Sequence, residues 1–304
     1  MSDLRQLRHF VALAEHGHFA RAAEAVHLSQ PAFSRSIQGL EGSLGCVLVD
    51  RHSRGISLTA HGRLVLEHAQ RLLAGSRALT NAVSQLGNLA SGELHLGAGP
   101  FPAARLVPRV LGRFAELHPA VHLRLLIDNW QQLRERLLQG QLEIFVADVR
   151  ELRGDPLLSV NPLPSYPGVL FCSPQHPLLD CHPLRLPDVL AYPLASTQLP
   201  AEISHALRAV SGREALSIEC DNFMVLKELV SQSHVLSIAP WDVVAHDVSA
   251  GRLATLRLEG ARMAQGSAYG IVTLAGHSLS PGAAELHRLL LNQQDESDLP
   301  IMPD

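Results

Sequence analysis

Lysine is almost missing: of the 25 basic residues, Lys227 is the only one that is not arginine. Such a bias reads as codon usage in a GC-rich genome. A surplus of positive charge is lacking too. The formal net charge is -4 and the isoelectric point is near 6.5. A broadly basic protein is excluded, so any nucleic-acid contact has to be local. The four cysteines (Cys46, Cys172, Cys181, Cys220) stand at irregular spacings and form neither a disulfide framework nor a zinc motif. No charged-then-apolar leader and no run of about 18 apolar residues is present, so we expect a soluble cytoplasmic protein with no membrane partner. GxSxG, P-loop, HExxH and CxxC patterns are all lacking, and the 17 histidines are scattered. The pairs His16/His18 and Cys181–His182 offer metal-ligand chemistry, but solvated loop positions explain both. No enzyme, cofactor or metal is expected.

What is there begins with helices. Residues 4–15 put Leu4, Leu7, Phe10, Val11 and Ala14 on one face, and "ARAAEAV" (20–26) is a short alanine-rich helix. In "HLSQP", Ser29 is placed to cap the next helix, with Pro31 in its first turn. That helix carries one apolar stripe, Phe33, Ile37, Leu40 and Leu44. Its other face presents Gln30, Ser34, Arg35 and Gln38 without an acidic residue. Helix, short helix, tight turn, helix is the helix-turn-helix arrangement. "CVLVDRHSRGISLT" (46–59) then alternates Val47 and Val49, turns, and resumes with Ile56 and Leu58. It reads as a two-stranded wing with Arg51, His52 and Arg54 at or near its tip.

Thr59 is placed to cap a long helix running to about residue 89. Along it, Val65, Ala69, Leu72, Ser76, Leu79, Val83, Leu86 and Ala90 keep a four-three alternation. A solitary surface helix tolerates drift from this register, so the seam is expected to pair with a partner helix, making the chain a homodimer.

From residue 92 the texture changes. "ELHLGAG", "VHLRLLI" and "LEIFVAD" are short strands separated by helical stretches 102–118 and 130–139, the β-α-β-α-β order of a parallel sheet. Strands "GVLFCS", "LSIEC", "VLSIA" and "YGIVTL" follow, with helices near 201–210, 222–232 and 281–292. Segments 160–168 and 260–268 read as two crossings between subdomains, and residues 295–304 as a flexible tail. The expected division is 1–60, a linker helix 61–90, and 91–304. The last part splits into a first subdomain (about 91–162 and 266–294) and a second (about 163–265).

The span "LRQLRHFVALAEHGHFARAAEAVHLSQPAFSRSIQGLEGSLGCVLVDRHSRGISLTAHG" resembles the N-terminal domain of LysR-type transcriptional regulators, most specifically in "SQPAFSRSIQGLE", the following "LG", and "LTAHG". "GELHLGAGPFPAARLVPRVLGRFAELHPAV" resembles the start of the family's effector-binding domain, and the similarity extends through the chain. The resemblance implies an α/β fold class: a winged helix-turn-helix, a dimerising linker helix, and a periplasmic-binding-protein-like domain of two α/β subdomains. It also implies double-stranded promoter DNA, a second copy of the chain (commonly a tetramer), a small-molecule effector and RNA polymerase as partners. Two departures stand out. Val49 occupies a position where the family usually has an aromatic residue, so a looser wing is expected. Gly39 and Gly42 interrupt the recognition helix, each at about 1 kcal/mol relative to alanine.

Amide side chains pair bidentately with adenine and arginine with guanine in a major groove that admits one helix. Ser29, Gln30, Pro31, Ser34, Arg35 and Gln38, with Arg51 and Arg54 on the wing, are therefore the candidate DNA contacts. The candidate dimer contacts are Val65, Ala69, Leu72, Leu79, Val83 and Leu86.

Ligands of open α/β sheets sit at the carboxyl ends of strands. That rule nominates Gly99, Pro100, Phe101, Pro102, Asn129, Trp130 and Asp148 from the first subdomain. Ser196, Thr197, Gln198, Asp221, Asn222 and Phe223 would face them from the second. Phe101 and Trp130 stand where the family often has small hydroxylated residues. This leaves two readings open: an uncharged or aromatic effector stacked on them, or a cleft filled by its own side chains. A third reading makes Cys172 and Cys181 a reversible redox pair.

Overall fold

The computed structural model describes residues 3–52, 55–85, 92–199, 204–205, 207–209, 212, 214, 216–259, 266–292 and 299–302, with the side chains of 77, 78 and 80–85 outside the description. Helix α1 (Leu4–His16) starts in a capping box: Asp3 accepts from the Arg5 N–H and Gln6 reaches back to the Asp3 N–H. Helices α2 (Phe19–Ala25) and α3 (Gln30–Leu44) follow. His27 makes the turn between them with φ 56, a conformation that costs a non-glycine residue about 1–2 kcal/mol. Ser29 holds the N-cap position of α3, but its hydroxyl makes no capping bond. Phe10, Leu13, Phe33, Ile37 and Leu40 are fully buried and form the core with Phe19 and Leu48. The stripe on α3 ends sooner than its spacing predicts: Leu44, on the last turn, is exposed.

The wing is the hairpin of β1 (Val49–His52) and β2 (Gly55–Leu58), with Val49 opposite Leu58. Valine does not loosen it. Val49 is buried in the domain core, and its N–H faces the Glu41 carboxylate on α3. Thr59 starts helix α4 (Ala60–Gln85) by accepting from the Gly62 N–H at 2.9 Å while donating to the Val47 carbonyl. Gly62 is required there, because a Cβ would fall 2.1 Å from the Leu48 carbonyl oxygen.

At 1.5 Å per residue, α4 spans about 39 Å. The predicted seam divides along it. Ala69 is buried in the core of its own DNA-binding domain, and Val65 packs half-buried against the same core. The physical reason is register: α4 packs back on α1, and its first turns use the 65/69 face for that contact. Leu72 and Leu79, seven residues apart, are 56% and 66% exposed. Val83 lies on α4 with its side chain outside the described residues, as is all of Leu86.

The C-terminal region holds two five-stranded sheets. The first is ordered β4-β3-β5-β12-β6, from β3 (Gly92–Ala98), β4 (Val121–Ile127), β5 (Ile144–Asp148), β6 (Leu158–Pro162) and β12 (Tyr269–Leu274). Strand β3 is parallel to β4 and β5, whereas β12 is antiparallel to β5 and β6. Leu94, Leu96, Phe114 and Leu286 fill one face; Leu133, Leu137, Phe145 and Val272 fill the other. The stretch predicted as one helix over 102–118 is two, α5 (Pro100–Ala104) and α6 (Leu106–Leu117), broken at Arg105. Helix α7 (Trp130–Leu138) is capped by Asn129, which accepts from the Gln132 N–H at 3.0 Å.

The second sheet is ordered β11-β7-β10-β8-β9, from β7 (Gly168–Cys172), β8 (Leu194–Ser196), β9 (Ile218–Glu219), β10 (Leu236–Pro240) and β11 (Ala254–Leu256). "LSIEC" therefore shrinks to a two-residue strand. The helix expected near 201–210 lies largely outside the described residues. The two crossings run side by side: the Ser267 N–H donates to the Tyr166 carbonyl at 2.7 Å, and the Tyr166 N–H to the Ser267 hydroxyl at 2.9 Å. Leu299 and Pro300 depart from the expected free tail. Leu299 packs against the second subdomain's core, and the Trp241 indole donates to the Pro300 carbonyl at 3.0 Å.

Candidate nucleic-acid interface and effector cleft

Helix α3 is bound to its domain by one side and presents the other. Gln30, Pro31, Arg35 and Gln38 are exposed together with Ser29, and Ser34 is half-buried. Glu41, the acidic residue of α3, is spent on structure. Its Oε1 accepts from the Leu48 N–H at 2.8 Å and the Val49 N–H at 3.4 Å, tying the helix to the wing. Gly39 is exposed, and a Cβ there would meet only the movable end of the Gln6 side chain on α1. His9 on α1 reaches Ser36 on α3 at 2.7 Å, and burial lowers its pKa. The recognition helix is thus held rigidly from behind, leaving a cationic and amide surface in front.

On the wing, the Arg51 guanidinium lies 4.4 Å from the Phe19 ring centroid and 3.5 Å from the Ser34 hydroxyl. It stands beside α3 rather than out at the tip, held by a cation–π contact. Arg54 is outside the described residues.

Between the two sheets of the C-terminal region lies a cavity of about 850 Å³. Gly99, Pro100, Phe101 and Pro102 reach it from the end of β3, Asn129 and Trp130 from the end of β4, and Asp148 from the end of β5. Ser196, Thr197 and Gln198, at the end of β8, line the opposite wall with Asp221. Two predicted residues are elsewhere. Asn222 caps the helix Phe223–Ser231, accepting from the Met224 and Val225 N–H groups at 3.1 and 3.3 Å. Phe223 is buried in the second subdomain's core. A helix start places one residue as cap and turns the next inward, so only Asp221 of that trio faces the cavity.

The open question about the aromatics has a divided answer. The Phe101 ring meets Phe223 edge-on at 5.0 Å, so the first subdomain reaches into the core of the second while still lining the cleft. Trp130 is half-buried against the first subdomain's core, and it also lines the cleft. The cavity remains open beside both rings.

Sequence reasoning missed three features of this wall. Arg150, two residues past β5, donates from Nη2 to the Gly266 carbonyl at 2.6 Å and sits 3.1 Å from Asp148 Oδ2. It bridges the end of β5 to the second crossing; its place two residues past a strand end was the available signal. Tyr269, the first residue of β12, donates its hydroxyl to Asp242 Oδ1 at 3.4 Å across the two subdomains. Burial pushes the Asp242 carboxyl up to about 7, against the pull of Arg105 in the α5–α6 break. Burial raises the Tyr269 phenol as well. No local pattern announces this pair, because its members are 27 residues apart and belong to different subdomains. The third feature is the acidity of the wall, which carries five carboxylates among the described residues.

Cys172 is buried, and desolvation pushes its thiol up to about 12, the opposite of what a reactive thiolate requires. Cys181 packs half-buried against the same core, and both are free thiols. Among the described residues no group of three or more His, Cys, Asp or Glu is placed to hold a metal, and no helix is long and apolar enough to cross a membrane.

A winged helix-turn-helix with an acid-free outer face, joined by a long helix to a two-lobed α/β domain with a cleft, defines a DNA-binding regulator with a ligand-binding domain. The comparisons with known proteins identify which kind. Residues 4–63 match the family model of the bacterial regulatory helix-turn-helix protein, lysR family, and residues 87–295 match that of the LysR substrate binding domain. The chain belongs to the LysR family: it is a DNA-binding transcriptional regulator with an effector-binding domain.

Among its relatives, the SDS degradation transcriptional activation protein of a Pseudomonas species is 64% identical over 296 residues, covering 96% of this chain and 97% of the relative. The DNA-binding transcriptional dual regulator OxyR of Escherichia coli is 33% identical over 207 residues, 68% of this chain and 66% of that one. The fold also matches full-length CbnR complexed with its target DNA (TM-score 0.59, 24% identity, 95% and 98% of the two chains). A full-length OxyR variant from Pseudomonas aeruginosa matches with TM-score 0.64 at 20% identity, covering 96% and 94%.

Proposed function

We propose that this protein activates transcription of genes for the breakdown of alkyl sulfate esters, binding their promoter through α3 and the wing as a cytoplasmic homodimer that assembles further into a tetramer. Identity of 64% along nearly the whole chain to an SDS degradation activator carries this reading. Gln30, Ser34, Arg35 and Gln38 contact bases or phosphates, and Arg51 contacts the backbone beside them. Exposed Leu72 and Leu79 on α4 support a helix pairing that brings two recognition helices to one site of dyad symmetry. A small molecule in the cleft between the subdomains biases promoter binding, as differential affinity for two arrangements requires. The Phe101–Phe223 contact and the Tyr269–Asp242 bond give such a ligand two inter-subdomain contacts to perturb.

Enrichment of fragmented genomic DNA on the purified protein, followed by sequencing, tests the function. The expected fragment lies upstream of a sulfatase gene, and a reporter fused to it rises when SDS is supplied only if this protein is present. Enrichment confined to unrelated promoters contradicts the proposal.

A further inference from the structure

The chemistry of the cleft wall restricts what it can hold. Among the described residues, five carboxylates line the cavity: Asp148, Glu151, Glu214, Glu219 and Asp221. Arg150 is the one arginine among the described residues of that wall, and its guanidinium is already occupied by Asp148 and the Gly266 carbonyl. Glu214 is paired with Arg208. An anionic head would enter a wall of excess negative charge, most closely felt at half-buried Asp148 and Asp221.

The same carboxylates are acceptors only, so the head group that suits this wall is one that donates. Sulfate and carboxylate heads are acceptors only and bring no donor. The rest of the wall includes Pro100, Phe101, Pro102, Trp130 and Leu199, which suits an apolar body.

We propose that the effector is an uncharged amphiphile with a hydrogen-bond-donating head, a primary alcohol on an apolar chain, and that the cleft discriminates against the corresponding sulfate and carboxylate. The inference rests on the reading of this cleft as the effector site. It also gives the ligand a place in a reaction sequence: hydrolysis of an alkyl sulfate ester by water breaks the ester linkage and yields the primary alcohol and hydrogen sulfate. The regulator then reads the product of that hydrolysis, not the detergent.

Calorimetric titration of the full-length protein with 1-octanol, octyl sulfate and octanoate, each below its solubility or micelle limit, tests this directly. We expect 1-octanol to bind at least about tenfold more tightly than either anion. Asp221→Asn, which removes a charge and keeps an acceptor oxygen, should raise the ratio of octyl sulfate to octanol affinity about tenfold. Binding of the sulfate or carboxylate as tight as that of the alcohol overturns the proposal, as does an unchanged ratio in the variant. Either result leaves the regulator reading intact. If none of the three binds and none alters promoter affinity, the reading of the cleft itself fails, and the inference fails with it.

Discussion

Replacing Leu72 and Leu79 by glutamate tests the assembly on which two-site DNA binding depends. The two side chains lie on one face of α4, and 56% and 66% of their surfaces remain exposed in the single chain. Full burial of a leucine is worth about 2 kcal/mol, so covering the exposed shares yields roughly 1.2 kcal/mol each. Two leucines on each of two chains then contribute about 5 kcal/mol to the pairing, three to four powers of ten in the dimer dissociation constant. Glutamates forfeit that burial and add like charges across the seam. Sedimentation equilibrium of the wild type and double variant over a range of concentrations reads the constant directly. Folding is checked in parallel by circular dichroism, because neither leucine belongs to the DNA-binding domain's core. A double variant whose dissociation constant stays within about tenfold of wild type would refute the reasoning, as would a wild type that is monomeric at micromolar concentration.

Two further predictions concern stability. Asp242 is buried, and its carboxyl stands at about 7 in the folded chain. Between its unfolded value and 7 the native state therefore holds a proton that the unfolded state lacks. Its contribution falls as pH rises through that window and is flat above it. Asp242→Asn removes the titration, so its stability relative to wild type should grow by about 2.7 kcal/mol from pH 5 to pH 8 in urea unfolding. An advantage that does not change with pH would sink this account. Glu41→Ala should cost about 1–3 kcal/mol by leaving the Leu48 and Val49 N–H groups without their acceptor, while Glu41→Gln, which keeps Oε1, should recover most of it. A thermal melt in which alanine and glutamine behave alike would show that the carboxylate tie is not what holds the wing.

The DNA-binding domain was the most legible part of the sequence because its signals are local. The 33/37/40 stripe, the Thr59 cap and the 56/58 alternation are each set by neighbouring residues, whereas Val47, read together with Val49, lies ahead of β1 and is exposed. Leu44 misled because a stripe's periodicity does not say where the partner surface stops. Ala69 shows a related limit: a heptad seam and a face packed on the chain's own core look identical until α1 is in place. In the cleft, the rule of strand ends nominated Gly99 to Pro102, Asn129, Trp130 and Ser196 to Gln198, all of which face the cavity. It failed at Asn222 and Phe223, where helix capping and core packing took those side chains. The Tyr269–Asp242 bond was not legible at all, since it arises only when the two subdomains meet.

Fluorescence anisotropy of a promoter fragment recovered by genomic enrichment, titrated with wild type and with Arg35→Ala and Gln38→Ala, tests the central claim most directly. Both side chains are exposed on α3 and neither is part of the domain core, so folding should be unaffected. The account predicts a loss of about 1–3 kcal/mol in specific binding for each variant, together with relaxed discrimination at the base it reads. Wild-type affinity and wild-type discrimination in both variants would contradict it.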